Sequence, residues 1–334
     1  YQNMKNYAPV IAQEVEDWIA DWGDEGELDF MDEFLELTIH TATHCLLGKD
    51  FRDKMTAEFK TLYRDLEAGL QAIAFVDPYM QQPIFEQRDR ARERLEEIIT
   101  AMIDERRKSD IEYNDALATF MTGTYADGSC LTSTEVTGLV IATIFAGHHT
   151  SSGTSTWMLT ELARHPKETA AIVEELNAIY QQDETLSHNA LREIPKMESF
   201  LNEVLRVHPP LVVLMRRVIN DIEFDGYAIP AGKTVAISIF GSHRNPEYFP
   251  DPEIFDPSRT EPETMFAYIP FGGGRHKCGG NAFALLQQKA IFSALLRRYS
   301  FEIVDQSDSY VDDLSGMVLR PKSPCRLRYK RRVS

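Results

Sequence analysis

Apolar side chains recur every three or four positions through the first 210 residues, which is the spacing of helices that bury one face. Boundary signals divide this block. Asp29 can cap a helix, Thr132 and Glu135 form a capping-box pattern before the longest helical run, and His208-Pro209-Pro210 ends the block. The pattern predicts helices over residues 4–22, 30–47, 54–76, 84–108, 133–164, 167–180 and 187–207.

Beyond residue 210 the pattern changes to short β-branched runs separated by Gly and Pro turns. Leu211-Val212-Val213 and Thr234-Val235-Ala236-Ile237 predict strands, and a last hairpin is predicted around Pro321. One more helix is predicted over residues 282–299. We therefore predict a mainly α fold with small β-sheets. We expect a single domain over residues 1–334, with 1–210 mostly helical and 211–334 holding β-hairpins and a cysteine loop with its helix.

The 334 residues are 43% hydrophobic, enough for a large core, and carry a formal net charge of −17. This acidic balance argues against general binding to nucleic acid, which needs a basic face. Four scattered cysteines do not form a disulfide framework, and no run approaches the roughly 18 apolar residues of a membrane helix. We expect a cytoplasmic protein. Because the chain opens on Tyr1 in a helical pattern, we also expect a natural N-terminus ahead of it, where a membrane anchor stays an open alternative.

The strongest chemical signal is the stretch Phe271-Gly272-Gly273-Gly274-Arg275-His276-Lys277-Cys278-Gly279-Gly280. Three consecutive glycines lack Cβ atoms and allow a flat macrocycle to approach the main chain. A helix follows directly, and the positive end of its dipole favours the thiolate form of Cys278, which is the form that ligates metals. A plain buried cysteine is one alternative. A zinc site is a weaker one, because His276 and Cys278 supply only half of a tetrahedral shell.

The ordered spacing of Phe271, Gly274, Cys278 and Gly280 resembles the haem-binding loop of the cytochromes P450. The resemblance implies the P450 fold and a haem b cofactor. It makes Cys278 the proximal iron ligand, whose thiolate favours O–O cleavage. It also implies haem contacts from Phe271, Gly272 and Gly280.

A second segment that resembles the family is Ala146-Gly147-His148-His149-Thr150, in the longest predicted helix. Gly147 lowers helix propensity, and the hydroxyls of Thr150 and Ser151 can bond back to carbonyls, which predicts an opened or bent helix. Taken alone, two adjacent histidines are more often satisfied core or edge residues. The resemblance implies an O2 groove beside the haem at Ala146 and Gly147, and a proton relay through Thr150 and His149.

Glu203 and Arg206 lie three positions apart on one predicted helix, close enough to pair, although such pairs are common on helix surfaces. In the family, this Glu-x-x-Arg motif joins an arginine from the irregular stretch before the cysteine loop. Arg259 resembles that arginine here. The resemblance implies a structural triad that holds the loop presenting Cys278.

Three details resemble one branch of the family, the sterol 14α-demethylases in their bacterial form. They are the His149-Thr150 pair, His276 in a position where most members have arginine, and the segment from His208 to Arg216. The resemblance implies that Arg216 and His276 bind the haem propionates.

Two residues depart from the family pattern: Gly279 after the cysteine and Thr260 after Arg259. The family's N-terminal sheet and the helices that follow it are expected ahead of Tyr1, so we expect an N-terminally truncated P450. This chain alone is therefore expected to hold haem less well than a longer one.

The resemblance implies removal of the sterol 14α-methyl group through alcohol and aldehyde to formate. The reaction uses O2 and electrons from NAD(P)H, delivered by a ferredoxin and a ferredoxin reductase. Glu67 or Asp65 is expected to be the carboxylate partner of the proton relay. The expected sterol pocket is apolar, which fits a flat lipid and equally fits plain core; its residues are Phe145, Leu211, Val212, Val213, Met317 and Val318.

Two other functions stay open. One is a P450 that hydroxylates another hydrophobic substrate, such as a fatty acid or a terpenoid. The other is a haem-free remnant that binds lipid.

Overall fold

The computed structural model describes residues 4–69, 72–75, 77, 79–181, 187–260, 262–306, 309–314 and 318–332. They fall into two compact units. The first comprises Tyr1–Asp21, Leu35–His149 and Thr185–His188, and the second comprises Trp22–Phe34, Thr150–Glu184 and Asn189–Ser334. That residues 1–334 form one domain stays a prediction.

The helices are α1 (Met4–Trp18), α2 (Phe30–Leu47), α3 (Lys49–Asp53), α4 (Ala57–Ala68), α5 (Pro83–Lys108), α6 (Ala116–Met121), α7 (Ser133–Arg164), α8 (Pro166–Tyr180), α9 (Pro195–Val207), α10 (Ile239–Ser242) and α11 (Asn281–Arg298). The strands are β1 (Glu25–Asp29), β2 (Val213–Arg217), β3 (Ile222–Phe224), β4 (Tyr227–Ile229), β5 (Thr234–Ser238), β6 (Tyr299–Ile303), β7 (Asp312–Asp313), β8 (Arg320–Pro321) and β9 (Arg326–Arg331). The prediction of a mainly α fold with small sheets is confirmed.

In the first unit, α4 packs along α5, and both contribute to a continuous apolar core. The side chain of Thr56 caps α4 by accepting from the Phe59 amide at 3.2 Å. The predicted helix over 54–76 was too long, because α4 ends at Ala68 before Gly69. The core includes Phe51, Phe59, Tyr63, Leu95, Ile99 and Ile144.

Helix α7 begins with the predicted capping box. The Glu135 amide donates to Thr132 Oγ1 at 3.3 Å, and the Thr132 amide donates to Glu135 Oε2 at 2.7 Å. These reciprocal hydrogen bonds give acceptors to two amides at the start of the helix that have none within the helix. The helix runs without interruption through Gly147, Thr150 and Ser151, and a bend there stays a prediction.

The second unit contains a three-stranded antiparallel sheet in the order β1-β9-β6. Strand β1 was not predicted, since its acidic residues and Gly26 were taken as the end of a helix that in fact stops at Trp18. The side chain of Asp29 accepts from the Met31 amide at 3.1 Å, so the predicted cap of α2 is confirmed. The same carboxylate accepts from the Cys325 amide at 3.0 Å, which joins α2 to the chain before β9.

The other sheets of this unit are two-stranded and antiparallel: β2 with β5, β3 with β4, and β7 with β8. The first predicted strand begins at Val213, two residues later than expected, and the predicted hairpin near Pro321 pairs Asp312 with Pro321. Helix α9 starts at Pro195, not near residue 187, because proline suits the first turn of a helix but not its interior.

We find no helix among the described residues with the length and apolar composition needed to cross a membrane.

Candidate active site

The cysteine loop is closed by its own main chain. The Cys278 amide donates to the Phe271 carbonyl at 2.9 Å, and the Lys277 amide donates to the Gly274 carbonyl at 3.2 Å. Gly272 and Gly274 have φ angles of 70° and 68°, a region that strongly favours glycine. Gly280 then forms the N-cap of α11. The loop therefore places Cys278 two residues before the N-cap of a long helix.

The side chains next to Cys278 in its loop leave its thiol open to a large planar cofactor. Its thiol is free and exposed, and a Cβ added at Gly279 or Gly274 would meet no atom within 4 Å. A Cβ at Gly280 would lie 3.8 Å from Cys278 Sγ. This part of the loop presents a soft sulfur ligand with little side-chain bulk beside it, as a haem bound through cysteine requires.

Arg216 and His276 provide cationic or hydrogen-bonding groups in the same unit. Arg216 donates to the carbonyl of Met215 at 2.9 Å, and no carboxylate among the described residues pairs with it. The His276 side chain is exposed. Both are available to the carboxylates of a haem, so the donor set of this unit fits the expected cofactor.

Glu203 holds the predicted triad together. Its two oxygens accept from Arg206 at 2.8 Å each, and Oε1 also accepts from Arg259 Nε at 3.2 Å. Arg206 is almost fully buried and donates further to the carbonyls of His243, Pro252 and Ile254. The triad therefore fastens the irregular stretch around residues 250–256, which precedes the cysteine loop in the chain.

Thr150 lies beside the start of α11. A small cavity of about 30 Å³ is lined by Thr150, Phe271 of the cysteine loop, and residues of α9 and α11. Gln288 of α11 lines it too and donates to the Ser151 carbonyl at 3.1 Å, while Ser155 donates to Gln288 at 2.9 Å. The structure thus brings Thr150 and Phe271 together, and Gln288, which sequence reasoning missed, ties this part of α7 to α11.

His149, the other proposed relay residue, lies in the first unit. His149 Nε2 lies 2.5 Å from Glu67 Oε1, and His148 Nδ1 lies 3.3 Å from the same oxygen. Burial raises the pKa of Glu67, but the hydrogen bonds with the two histidines outweigh it, so this pKa lies below its usual value. Of the two carboxylates expected as relay partner, Glu67 contacts His149, whereas Asp65 accepts from Gln87 at 2.8 Å.

Three more predicted site residues, Phe145, Ala146 and Gly147, precede His149 on the same helix. The ring of Phe145 packs edge-on against His149, with ring centroids 5.4 Å apart. Ala146 is exposed, and a Cβ at Gly147 would lie 3.5 Å from Ala42 Cβ. A side chain added at Gly147 would therefore make only an ordinary van der Waals contact with α2.

The expected pocket residues of the second unit are only partly covered. Leu211 and Val213 are 38% and 41% exposed, while Val212 and Val318 are half-buried. The Leu319 amide donates to the Pro210 carbonyl at 2.8 Å, which brings these two segments side by side. Met317 lies outside the described residues.

His208 forms a buried polar cluster that sequence reasoning missed. Its Nδ1 lies 2.9 Å from Asp312 Oδ1, and its Nε2 lies 3.4 Å from Glu161 Oε1. Arg164 also donates to Glu161, at 2.7 Å. The sequence marked His208 as the end of a helix and as the start of the segment to Arg216 that resembles the sterol 14α-demethylases, but it gave no sign of the two carboxylate partners.

Comparisons with known proteins agree with these features. The family model of cytochrome P450 matches residues 1–328. The chain is 43% identical to sterol 14α-demethylase of Mycobacterium tuberculosis, over 99% of this chain and 76% of the relative. It is 41% identical to sterol 14-demethylase of Arabidopsis thaliana, over 98% of this chain and 70% of the relative. The solved structure of retinoic acid-bound cyanobacterial CYP120A1 has a TM-score of 0.89 and 25% identity, covering 99% of this chain and 76% of that one. This chain belongs to the cytochrome P450 family.

Proposed function

We propose that this protein is a sterol 14α-demethylase, a monooxygenase that removes the 14α-methyl group of a lanosterol-type sterol with O2 and electrons derived from NADPH. The observation that carries the proposal is the 43% identity to a mycobacterial sterol 14α-demethylase along almost the whole chain. An exposed, unpaired thiol two residues before the N-cap of α11 supports the thiolate chemistry.

Haem, the cofactor of the family, supplies oxygen activation when it is bound through Cys278. The hydrogen bond from the Cys278 amide to Phe271 holds the ligand's main chain, and the Glu203 triad holds the stretch before it. Arg216 and His276 would bind the two propionates of the cofactor. Each of these groups acts by binding or orienting, and none of them reacts.

Protons reach the reaction centre through the chain's own side chains. Glu67 accepts a hydrogen bond from His149, and its lowered pKa keeps the carboxylate ionised near neutral pH, so that it can orient a protonatable ring. Thr150 follows His149 on the same helix and supplies a hydroxyl that both donates and accepts. We assign His149 and Thr150 to successive steps of proton transfer.

The sterol is bound by apolar side chains. Leu211 and Val213 expose apolar surface next to the Pro210 and Leu319 segments, and burial of such surface by a flat lipid is favourable. We assign Val212 and Val318 of the same unit to this apolar surface, while the roles of Phe145 and Met317 stay predictions.

A redox partner must supply the electrons, and we propose a ferredoxin with its reductase. Arg275 and Lys277 are exposed in the cysteine loop, and Arg297 and Arg298 are exposed at the end of α11. These four cations within one unit support a contact with an acidic electron carrier. A cytoplasmic location stays a prediction.

The test starts from the protein expressed with a haem precursor. We expect a thiolate-type red-shifted Soret band after reduction and CO addition, and a low- to high-spin change on titration with lanosterol. Incubation with O2, NADPH, ferredoxin and reductase should yield the 14-demethylated sterol and formate, detected by mass spectrometry. Palmitate and a terpenoid are tested in the same way as comparison substrates.

Two outcomes contradict the proposal. A spin-state change with palmitate or the terpenoid but not with lanosterol would make the protein a P450 of another specificity. A folded protein that binds lanosterol without any haem band would make it a lipid-binding remnant.

A further inference from the structure

We propose that Glu67, His148 and His149 form a binding site for a zinc ion, separate from the haem iron. The ligand atoms of these three residues all lie within 4.8 Å of one another, and all three belong to the first unit. Two imidazole nitrogens and one carboxylate oxygen are the donor set of many zinc sites that keep a position open for water.

The tautomer of His148 is the observation that points to a metal. His148 Nε2 lies 2.9 Å from the Leu35 carbonyl oxygen, which can only accept, so Nε2 must carry the hydrogen. In the neutral ring, Nδ1 then carries a lone pair, and it faces Glu67 Oε1 at 3.3 Å. Two acceptors that face each other in this way need a cation between them, which is either a proton or a metal ion.

The hydrogen bond between His148 Nε2 and the Leu35 carbonyl is also of a kind that histidine ligands of metals usually make. A metal-bound histidine usually donates its other N–H to a carbonyl or a carboxylate, which fixes the ring and raises its basicity. Leu35 provides such a carbonyl on α2, and Thr38 of the same helix donates to the His148 carbonyl at 3.4 Å. The ring of His148 is thus oriented before any ion binds.

Two distances between ligand atoms of the cluster are close to those around a zinc ion. With bonds of about 2.1 Å, two ligands of a tetrahedral zinc ion lie about 3.4 Å apart. The His148–Glu67 distance of 3.3 Å already matches this value. The His149–Glu67 distance of 2.5 Å is that of a hydrogen bond, and it would open by about 1 Å when zinc replaces the proton.

Tyr63 packs against the same cluster. Its side chain is 2% exposed. Burial, and then the charge of Glu67 and a hydrogen bond with that carboxylate, raise the pKa of its hydroxyl. Its ring packs edge-on against His148, with centroids 5.9 Å apart. This packing covers one side of the His148 ring.

Access and selectivity follow from the same residues. The side chains of Glu67 and His149 are 15% and 19% exposed, so an ion can reach the cluster from solvent. Nitrogen donors favour zinc, nickel or copper over magnesium and calcium, which prefer all-oxygen sites. Zinc on Glu67 would also remove the carboxylate from the proton relay and inhibit turnover. That consequence rests on the proposed function, whereas zinc binding does not.

The experiment uses the holoenzyme, in which Cys278 is occupied by the haem iron. The holoenzyme is first stripped of adventitious zinc, then incubated with zinc, passed through a desalting column and analysed for bound zinc. Its affinity for zinc is measured by calorimetry. We expect one zinc per chain, not displaced by excess magnesium. Glu67→Gln and His149→Gln should each weaken binding by more than about 100-fold, beyond the effect of losing an outer-shell partner.

His44→Gln is the matched control. His44 Nδ1 lies 2.8 Å from Glu14 Oε1, so this residue also belongs to a half-buried histidine–carboxylate pair of the first unit, but without a second histidine. Its loss should leave zinc binding unchanged. Crystals soaked in zinc should show an anomalous peak between Glu67 and His148. Wild-type affinity in the Glu67→Gln and His149→Gln variants, or an anomalous peak elsewhere only, would overturn the proposal and leave a proton as the cation.

Discussion

Trp157 and His208 lie face to face, with ring centroids 3.6 Å apart and an interplanar angle of 6°. The stack fixes the plane of the imidazole, and each ring nitrogen then faces one carboxylate, Asp312 or Glu161. His208 directly precedes the Pro209-Pro210 turn that leads to Leu211 and Val213. The proposed sterol-lining segment therefore begins at a rigid point.

Replacement of Glu161 by Gln tests whether this cluster makes the stability of the fold depend on pH. Burial raises the pKa of Glu161, but contacts with His208 and Arg164 outweigh it, so the folded-state pKa lies below the usual 4.5. A lowered carboxyl pKa stabilises the fold above its unfolded-state value and loses that effect as pH falls through the folded-state value. We expect Glu161→Gln to lower the free energy of unfolding by about 1.5–3 kcal/mol near neutral pH. The difference from wild type should shrink on acidification below about pH 4.5.

Urea denaturation at several pH values measures this difference. The control is Glu174→Gln, since Glu174 is an exposed carboxylate on α8. A constant difference between Glu161→Gln and wild type across the acidic range would mean that Glu161 does not titrate in this cluster.

Replacement of Arg206 by Lys tests the triad. The guanidinium makes five hydrogen bonds, two to Glu203 and three to carbonyls, and an ammonium cannot reproduce that planar arrangement. Because Glu203 would keep a buried charge with a weakened partner, we expect a loss of about 3–5 kcal/mol in unfolding free energy. Arg192→Lys, at an exposed position, should change stability little. Equal unfolding curves for Arg206→Lys and Arg192→Lys would show that the triad does not stabilise the fold.

Replacement of Cys278 by Ala tests the iron ligand. We expect the red-shifted Soret band of the reduced CO complex to disappear, because alanine cannot bind iron. Cys130→Ala is the matched control, since Cys130 is also a free, exposed cysteine. Its spectrum should equal that of the wild type. A retained thiolate band in Cys278→Ala would assign the ligand to another residue.

Replacement of Thr150 by Ala tests the proton relay. Without the hydroxyl, proton delivery slows, so less product should form per NADPH consumed, by about 10-fold or more for a lost general acid–base step. The control is Thr143→Ala on the same helix, whose hydroxyl donates to the Leu139 carbonyl at 2.8 Å. Product and NADPH are quantified together. Equal coupling in both variants would argue against a relay through Thr150.

What the sequence predicted well was local. The caps at Asp29 and Thr132 depend on residues within three positions of each other, so their chemistry is visible in a short window. The loop before Cys278 could be predicted for the same reason, because glycine is the residue that most readily adopts the positive φ angles of Gly272 and Gly274. These signals were enough to find the helices of the core and the candidate iron ligand.

What the sequence did not predict was non-local. Strand β1 pairs with β9, and no residue pattern near Gly26 indicates a partner strand about 300 residues away. The stack of Trp157 on His208 and the contact of Gln288 with Ser151 join different elements in the same way. The sequence could not choose between Glu67 and Asp65 either, because only the packing of α4 decides which carboxylate faces His149.

The double role of Asp29 has a consequence for how the protein is made. One carboxylate joins the start of α2 to the Cys325 amide, 296 positions later in the chain. At roughly 5–20 residues per second, a ribosome needs roughly 15–60 s to synthesise that interval. During this time β1 has no β9 to pair with, and its edge is open to other chains. The nascent chain therefore depends on β9 to complete the sheet that β1 began.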